Sequence, residues 1–354
     1  MHIVSSQTAV TPLARIRRQR ILPQAGEVVV RVGQQVTPVQ VVVRASSAAQ
    51  FTIIPAGEML GVPAEAIPDY LLVEEGAAVL RGTPLLRKPG WLNSKRIVAP
   101  VDGVLYQVTH GRLVLQQASE MVELRAMMHG FVVSYVSNRG VLIETQGTLI
   151  QAAWGAGREG YGKVQVVVSQ PDEPLSLEHI GANARGAVLV AGKLTDEAVL
   201  EKAAQSSVRG IVVGSLPAGM VAVATEAELP VLVTDAFGDV PMAEPVFRLL
   251  QQSAGREACL LDRSQERWHA RPEIIISLPR QEDATTTELA AKSLTAGQIV
   301  RILRAPYLGV VGRVVMVHTR PHRTPIGTRF PGADVALPDG QVVFVPYPNL
   351  DIIG

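Results

Sequence analysis

The segment VRVGQQVTPVQVVVR, residues 30–44, recurs as VEEGAAVLRGTPLLR at residues 73–87, an offset of 43 residues. The matched positions pair Val30 with Val73, Gly33 with Gly76, Val36 with Val79, Val42 with Leu85, Val43 with Leu86 and Arg44 with Arg87. Each copy predicts a strand, a turn at its glycine, a short strand and a further strand, because glycine readily adopts the positive φ of such turns. One copy is too small to bury its own apolar face, so we expect the two copies to pack face to face.

The second copy continues into APVDGVL, residues 99–105, where Pro100 interrupts the ladder and Asp102-Gly103 predicts a turn. Together these segments resemble the barrel-sandwich hybrid of lipoyl and biotinyl carrier domains and of their unmodified relatives, from residue 20 to residue 125. Residues 128–150 predict further strands, with turns at NRG and QG.

In carrier domains the modified lysine lies at a hairpin tip shortly before the AP motif. The lysines near that place are Lys88 and Lys95, in RKPGWLNSKRIV. Neither has the Asp-Lys-Ala or Met-Lys-Met setting of a modified lysine, and Lys88 precedes the Pro89-Gly90 turn. We therefore predict the scaffold without a prosthetic group. A lysine-modified carrier is the alternative, and intact mass would show its adduct.

The composition predicts a mainly β protein. Hydrophobic residues make up 47% of the 354 residues, but aromatic residues only 4%. The apolar mass is therefore mostly Val, Leu, Ile and Ala, and valine occurs in short clusters that suit a pleated sheet. With 33 basic and 32 acidic residues, the total charge neither favours nor excludes a nucleic-acid partner.

The single cysteine, Cys259, excludes an intramolecular disulfide and a cysteine-based metal site. Its neighbours in REACLLD favour a buried structural thiol over a nucleophile. We expect neither a signal peptide nor a transmembrane helix, and hence a cytoplasmic location, because no long apolar run occurs. A basic cluster near the N-terminus is expected to be a solvated arm before the first strand, with contact to a membrane surface or a nucleic acid as the alternative: Arg15, Arg17, Arg18 and Arg20.

GAGREG, residues 155–160, matches the G-x-G-x-x-G pattern of dinucleotide-binding loops. Such a loop lies between a strand and a helix whose N-terminus binds the pyrophosphate. Here YGKVQVVVS follows and predicts another strand. We therefore expect a glycine-rich connection between two β-segments at a domain boundary.

Short apolar runs alternate with helix-forming segments between residues 163 and 262. LTDEAVLEKAAQSS predicts a helix capped by Thr195, and DVPMAEPVFRLLQQSAG predicts a second that ends near Gly255. Buried strands that alternate with helices indicate a parallel sheet with right-handed crossovers. The strands expected to be adjacent and parallel are residues 187–191, 211–214 and 230–234.

Ligands of such sheets bind beyond the carboxyl ends of the strands. The polar residues there are Lys193, Thr195, Ser215, Thr234, Asp235 and Asp239. They suit a phosphorylated or sugar-like ligand, and the alternative is that they cap helices and form turns. We predict no metal site, because His318 and His322 are separated by TRP, which argues against a shared helix face.

The C-terminal segment GQIVRILRAPYLGVVGRVVMV, residues 297–317, resembles the KOW motif of transcription elongation factors and some ribosomal proteins. The matching residues are Gly297, Val300, Pro306, Tyr307, Gly309, Gly312 and Val314. The resemblance implies an SH3-like barrel, with further strands around Asp339-Gly340. It also implies association with RNA or with a transcription or translation assembly.

Basic charge is concentrated in this segment. Six arginines and no acidic residue occur between Gly297 and Ala333: Arg301, Arg304, Arg313, Arg320, Arg323 and Arg329. A guanidinium group donates two parallel hydrogen bonds to a phosphate, and the rings of Tyr307 and Phe330 are suited to stacking on a base. HTRPHRTPIGTRFPG is the predicted contact region, and an acidic protein neighbour is the alternative partner.

These observations predict a multidomain, mainly β protein with a central α/β unit. The expected parts are a β-rich domain with the barrel-sandwich hybrid (1–155), a parallel-sheet α/β domain (160–265), a strand and linker (266–296) and an SH3-like barrel (297–354). We predict a non-enzymatic, modular binding or scaffold protein, with no cofactor and no membrane partner, whose C-terminal barrel binds RNA or a protein assembly. The alternative is an accessory or regulatory subunit of a metabolic enzyme that binds a small phosphorylated ligand in the α/β unit.

Overall fold

The computed structural model describes residues 9–46, 50–90, 94–117, 121–262, 270–279, 287–288, 294–324 and 327–353. Strands in several sheets dominate these residues, as the composition predicts. The predicted linker and short helix over residues 279–297 lie largely outside the described part of the chain.

The described chain up to Gln151 forms thirteen strands and a short α-helix. The strands are β1 Val10–Ile21, β2 Glu27–Val28, β3 Gln35–Val36, β4 Val41–Ser46, β5 Phe51–Ile54, β6 Ala78–Val79, β7 Pro84–Lys88, β8 Lys95–Val98, β9 Gly103–Thr109, β10 Arg112–Gln117, β11 Met121–Arg125, β12 Gly130–Val136 and β13 Gly140–Gln151. Helix α1 spans Ala56–Leu60, and a 3₁₀ helix spans Ala64–Tyr70.

The two repeat copies make the same backbone hydrogen bonds. In the first copy, Gly33 N donates to Val132 O in β12 at 2.8 Å. In the second, Gly76 N donates to Leu105 O in β9 at 2.7 Å. Both glycines have a positive φ, 84° and 87°, as the predicted turns require. Each copy therefore pairs with a return strand of its own.

The copies do not pack face to face, and that prediction is wrong. Val36, Val42 and Val43 of the first copy lie in a core with residues of β1, β12 and β13. Val79 and Leu85 of the second copy lie in a separate core with residues of β8, β9 and β10. The reason is that the second copy belongs to a segment inserted between β4 and β11, and each copy buries its apolar face within its own unit.

We call residues 50–117 the inserted module, and we call the surrounding unit, formed by β1–β4 and β11–β13, the outer module. The inserted module contains the sheets β5-β10-β9-β6 and β7-β8. Its two ends are adjacent, since Gln117 N donates to Gln50 O at 2.9 Å. In the outer module, Ser46 at the end of β4 pairs with Met121 at the start of β11.

A central α/β unit follows the outer module. Its strands are β14 Trp154–Gly155, β15 Gly160–Val166, β16 Ala187–Lys193, β17 Gly210–Leu216, β18 Val231–Phe237, β19 Glu257–Leu261 and β20 Glu273–Ser277. Its α-helices are α2 Glu197–Gln205, α3 Val221–Glu226 and α4 Glu244–Gln252. The neighbours β16, β17 and β18 are parallel, as the sequence predicts. The GAGREG segment connects β14 directly to β15, so the element that follows it is a strand and not a helix.

The helix limits differ from the prediction. Asp196, and not Thr195, caps α2, because its side chain accepts a hydrogen bond from Ala198 N at 2.9 Å. Helix α4 spans Glu244–Gln252 and is shorter than the segment predicted to contain it, residues 239–255. Helix α3 was not predicted. Residues 221–226, VAVATE, are rich in β-branched residues, whose intrinsic preference is for strands.

One twelve-stranded sheet joins the α/β unit to the outer module. Its main order is β14-β18-β17-β16-β15-β19-β20-β13-β1-β21, where β21 is Thr287–Glu288. The predicted boundary at residues 155–160 therefore falls inside a continuous sheet.

The N-terminal arginines lie in β1 and are not a solvated arm, so this prediction is wrong. The Nε atoms of Arg17 and Arg18 contact Glu144 and Glu273, each at 2.6 Å, and Arg20 pairs with Glu159. Alternation in the strand places Arg18 on the same face as the buried Ile16, and its side chain is only 12% exposed, so the ion pair with Glu273 replaces part of its hydration.

The predicted turn at Gln146-Gly147 is also wrong, because both residues lie inside β13. A Cβ atom on Gly147 would lie 2.2 Å from Ile276 O. Glycine is present here because the neighbouring backbone approaches closely, and not because the chain turns.

The C-terminal segment forms an antiparallel five-stranded sheet in the order β25-β24-β23-β22-β26. Its strands are β22 Ile299–Ile302, β23 Val311–Arg323, β24 Arg329–Ala336, β25 Val342–Pro346 and β26 Leu350–Ile352. The turn between β24 and β25 contains Gly340, with a φ of 86°. This sheet has a small core of its own that includes Val300, Val314 and Val335.

Candidate nucleic-acid interface

The β23–β24 hairpin is buried at its inner end and exposed towards its tip. At the inner end, the buried Val314 and Val335 pair across the strands. Two pairs near the tip have exposed side chains: His322 with Phe330, and Arg323 with Arg329. Thr324 N donates to Thr328 O at 2.8 Å and so continues the pairing beyond the strands.

The tip carries like charges opposite each other. Arg323 and Arg329 are direct cross-strand partners, and the nearby Arg320 is also exposed. Like charges in this position destabilise a hairpin. Within the described chain none of the three makes a salt bridge. An anionic partner would neutralise this repulsion.

A group of rings lies one register position from the Arg323–Arg329 pair and, because successive residues of a strand point to opposite faces, on the other face of the hairpin. The ring centroids of His318 and His322 are 4.1 Å apart, and Phe344 of β25 lies 5.4 Å from His322. His318 Nε2 contacts Asp334 Oδ2 at 2.8 Å, which orients its ring. Phe330, opposite His322, is 45% exposed.

Sequence reasoning missed this ring group. An irregularity in the β23–β24 pairing lies between His318 and His322, and it brings the two rings together. Phe344 comes from another strand and is far away in the sequence. The even spacing of the two histidines was the available signal, because such residues lie on one face of a strand.

Two of the other candidate residues lie at the inner end of the sheet. Arg313 is exposed and donates a hydrogen bond to Gly297 O at 2.8 Å. Tyr307 is partly buried, with part of its side chain packed against the C-terminal core. Arg304 is exposed in the connection between β22 and β23. The structure thus gathers Arg320, Arg323, Arg329 and Phe330, and leaves these three apart.

Arg301 was predicted to contact a partner, and the structure corrects this prediction. The residue is 1% exposed. Its guanidinium contacts Asp235 Oδ1 at 2.6 Å and Asp351 Oδ2 at 3.0 Å, and it donates to Thr234 O at 2.7 Å. Burial alone would lower the pKa of Arg301, but the two carboxylates outweigh it and raise the pKa above its usual value.

The same contacts correct the predicted ligand site at the carboxyl edge of the parallel sheet. Asp235, Thr234 and Ser215 are buried. Thr234 Oγ1 donates to Asp235 Oδ2 at 2.6 Å, and Ser215 Oγ donates to Val240 O at 2.5 Å. Their polar atoms therefore hold the C-terminal sheet and the loop after β18 in place.

The remaining candidates at that edge lie nearer the surface. Lys193 Nζ and Asp239 Oδ1 are 2.5 Å apart, and Thr195 is exposed. Of the predicted ligand-binding set, the structure thus leaves Thr195 and the ion pair of the half-buried Lys193 with the exposed Asp239 near the surface.

Cys259 lies in β19 and is buried, as predicted. Burial raises the pKa of its thiol, so the protonated form persists at neutral pH. The described residues contain no group of three or more His, Cys, Asp or Glu arranged to hold a metal ion. In the same part of the chain, no helix has the length and apolar character needed to cross a membrane.

No family model matches the sequence, and no curated protein is significantly similar to it. The function is therefore inferred from the charge, exposure and pairing of the residues themselves.

Proposed function

We propose that the chain is a non-enzymatic binding protein that holds single-stranded RNA on the outer half of the β23–β24 hairpin. The observation that carries this proposal is the cross-strand pair Arg323–Arg329, exposed and unneutralised, with the exposed Phe330 one register position away on the opposite face of the narrow hairpin, around which a single strand would wrap. Arginines would bind phosphates, and the phenyl ring would stack on a base. This combination of positive charge with an aromatic platform is typical of single-strand binding surfaces.

The finer fold assignments belong to the same proposal. We infer that the five-stranded C-terminal sheet is a KOW-like, SH3-like barrel, supported by the positive φ of Gly297 and Gly309 in the motif. We also infer that the two modules at the N-terminus are related to barrel-sandwich hybrids, supported by their matching hydrogen bonds. These modules are proposed to be platforms for partners, in a cytoplasmic protein.

An acidic protein surface is the competing partner for the hairpin. Interfaces with nucleic acids are much more positively charged than those between proteins. The absence of acidic residues from Gly297 to Ala333 therefore favours RNA. The alternative of a phosphorylated metabolite in the α/β unit loses support, because Asp235 already binds Arg301.

The test is the binding of the full chain to a short fluorescent oligouridine, measured by anisotropy at several salt concentrations. We expect Arg320→Gln/Arg323→Gln/Arg329→Gln to reduce the slope of log affinity against log salt by about 2, because each phosphate contact on a single strand contributes about 0.7. At about 0.1 M salt this corresponds to a loss of about a hundredfold in affinity.

A matched control removes three exposed arginines outside the hairpin, Arg185→Gln/Arg209→Gln/Arg248→Gln, and gives the same change in net charge. We expect this variant to bind nearly as well as the wild type. Equal losses in the two variants, or no RNA binding by the wild type, would refute the proposal.

A further inference from the structure

A second hairpin in the chain carries like charges opposite each other. In the inserted module, β7 and β8 pair so that Arg87 lies opposite Arg96 and Lys88 lies opposite Lys95. Arg87, Lys95 and Arg96 are exposed, whereas Lys88 donates to Leu60 O at 3.1 Å. In the described chain, Arg87, Lys95 and Arg96 form no salt bridge.

The surrounding sequence does not supply a counter-charge. From Gly76 to Val101 there are five basic residues and no acidic one: Arg81, Arg87, Lys88, Lys95 and Arg96. Asp102, the next acid in the sequence, accepts a hydrogen bond from Arg81 N at 2.6 Å. The hairpin is therefore basic over both of its strands.

The outer module has a pair of opposite charges at the equivalent position. Arg87 corresponds to Arg44 by the repeat, and Arg96, three residues before Ala99, corresponds to Glu123, three residues before Ala126. The two alanines are equivalent, since their amides donate to Thr83 O and Gln40 O at 2.8 and 2.9 Å.

Arg44 and Glu123 are cross-strand partners, and their side chains form a salt bridge of 3.0 Å. The inserted copy thus has an arginine where the outer copy has the neutralising glutamate. Opposite charges in such pairs stabilise a sheet, and like charges destabilise it. The inserted module lacks this stabilising ion pair and has two adjacent guanidinium groups at its surface instead.

We propose that the outer face of the β7–β8 hairpin is a second binding surface, which takes the phosphodiester backbone of a nucleic acid. Two neighbouring guanidinium groups match consecutive phosphates, each of which accepts a forked pair of hydrogen bonds. The high density of positive charge favours a nucleic acid over an acidic protein. This surface is separate from the β23–β24 hairpin, so substitutions can remove the charge of either hairpin without changing the other.

The test uses the full chain, fluorescent oligouridine and a poly-glutamate peptide as competing probe. We expect Arg87→Gln/Arg96→Gln to reduce the salt slope of RNA binding by about 1.4, and the affinity at about 0.1 M salt by about 25-fold. The matched control is Arg44→Gln/Arg17→Gln, which removes two exposed arginines that already pair with glutamates. It is expected to leave the slope unchanged.

The variant Arg96→Glu separates a binding role from a structural one. It recreates the charge pairing of the outer module, so the thermal unfolding midpoint should rise while RNA binding weakens. An unchanged salt slope in Arg87→Gln/Arg96→Gln would overturn the proposal. So would binding of poly-glutamate, but not of RNA, that depends on Arg96, because the partner would then be an acidic protein.

Discussion

Replacement of Arg301 by methionine is expected to lower the free energy of unfolding by about 3–5 kcal/mol. Methionine approximates the length of the arginine stem but leaves the buried carboxylate of Asp235 without a cation. Asp351 keeps a contact to Arg271, with Nη1 and Oδ1 at 2.8 Å. Chemical denaturation at neutral pH, followed by fluorescence, would measure the loss.

Arg304→Met is the matched control, because Arg304 is exposed and lies three residues away in the same segment. Its effect should stay within about 0.5 kcal/mol, as is usual for surface substitutions. If the two variants lost the same small amount of stability, the buried ion pairs would not hold the C-terminal sheet against the α/β unit.

Leu105→Ala is expected to destabilise the inserted module by about 2–5 kcal/mol, since the side chain is fully buried and its removal leaves a cavity. The core around Leu105 is separate from the cores of the outer module and the α/β unit. The loss should therefore be local. Hydrogen exchange resolved by residue should show faster exchange in β9 and β10 and little change in β16–β18.

Val104→Ala provides the control on the same strand, because Val104 is 36% exposed. It should accelerate exchange in β9 far less than Leu105→Ala does. Equal acceleration in β16–β18 and in β9 would show that the inserted module does not unfold as a unit of its own.

Local features of the fold could be predicted from the sequence. The positive φ of Gly33 and Gly76, the parallel order of β16, β17 and β18, and the burial of Cys259 all follow from short-range patterns. The packing of the two repeat copies could not be predicted, because the sequence spacing is the same for face-to-face copies and for one copy inserted into another. Gly147 illustrates the same difficulty, since a turn and a close backbone contact both favour glycine.

The candidate site was predicted in part. The exposed arginines near the hairpin tip lie in the segment that the charge distribution indicated. Arg301 has the same residue type and similar neighbours, but its partners, Asp235 and Asp351, are 66 and 50 residues away in the sequence. Local composition does not distinguish an arginine in such a buried pair from one that faces solvent.

The pairing of Ser46 with Met121 has a consequence for the independence of the inserted module. In the outer module, β4 and β11 are already paired up to the residues where the inserted module begins and ends. A two-residue Asn-Gly hairpin turn would therefore suffice to connect these two strands. We therefore expect that the inserted module, residues 50–117, could be replaced by such a turn without rearrangement of β4 and β11.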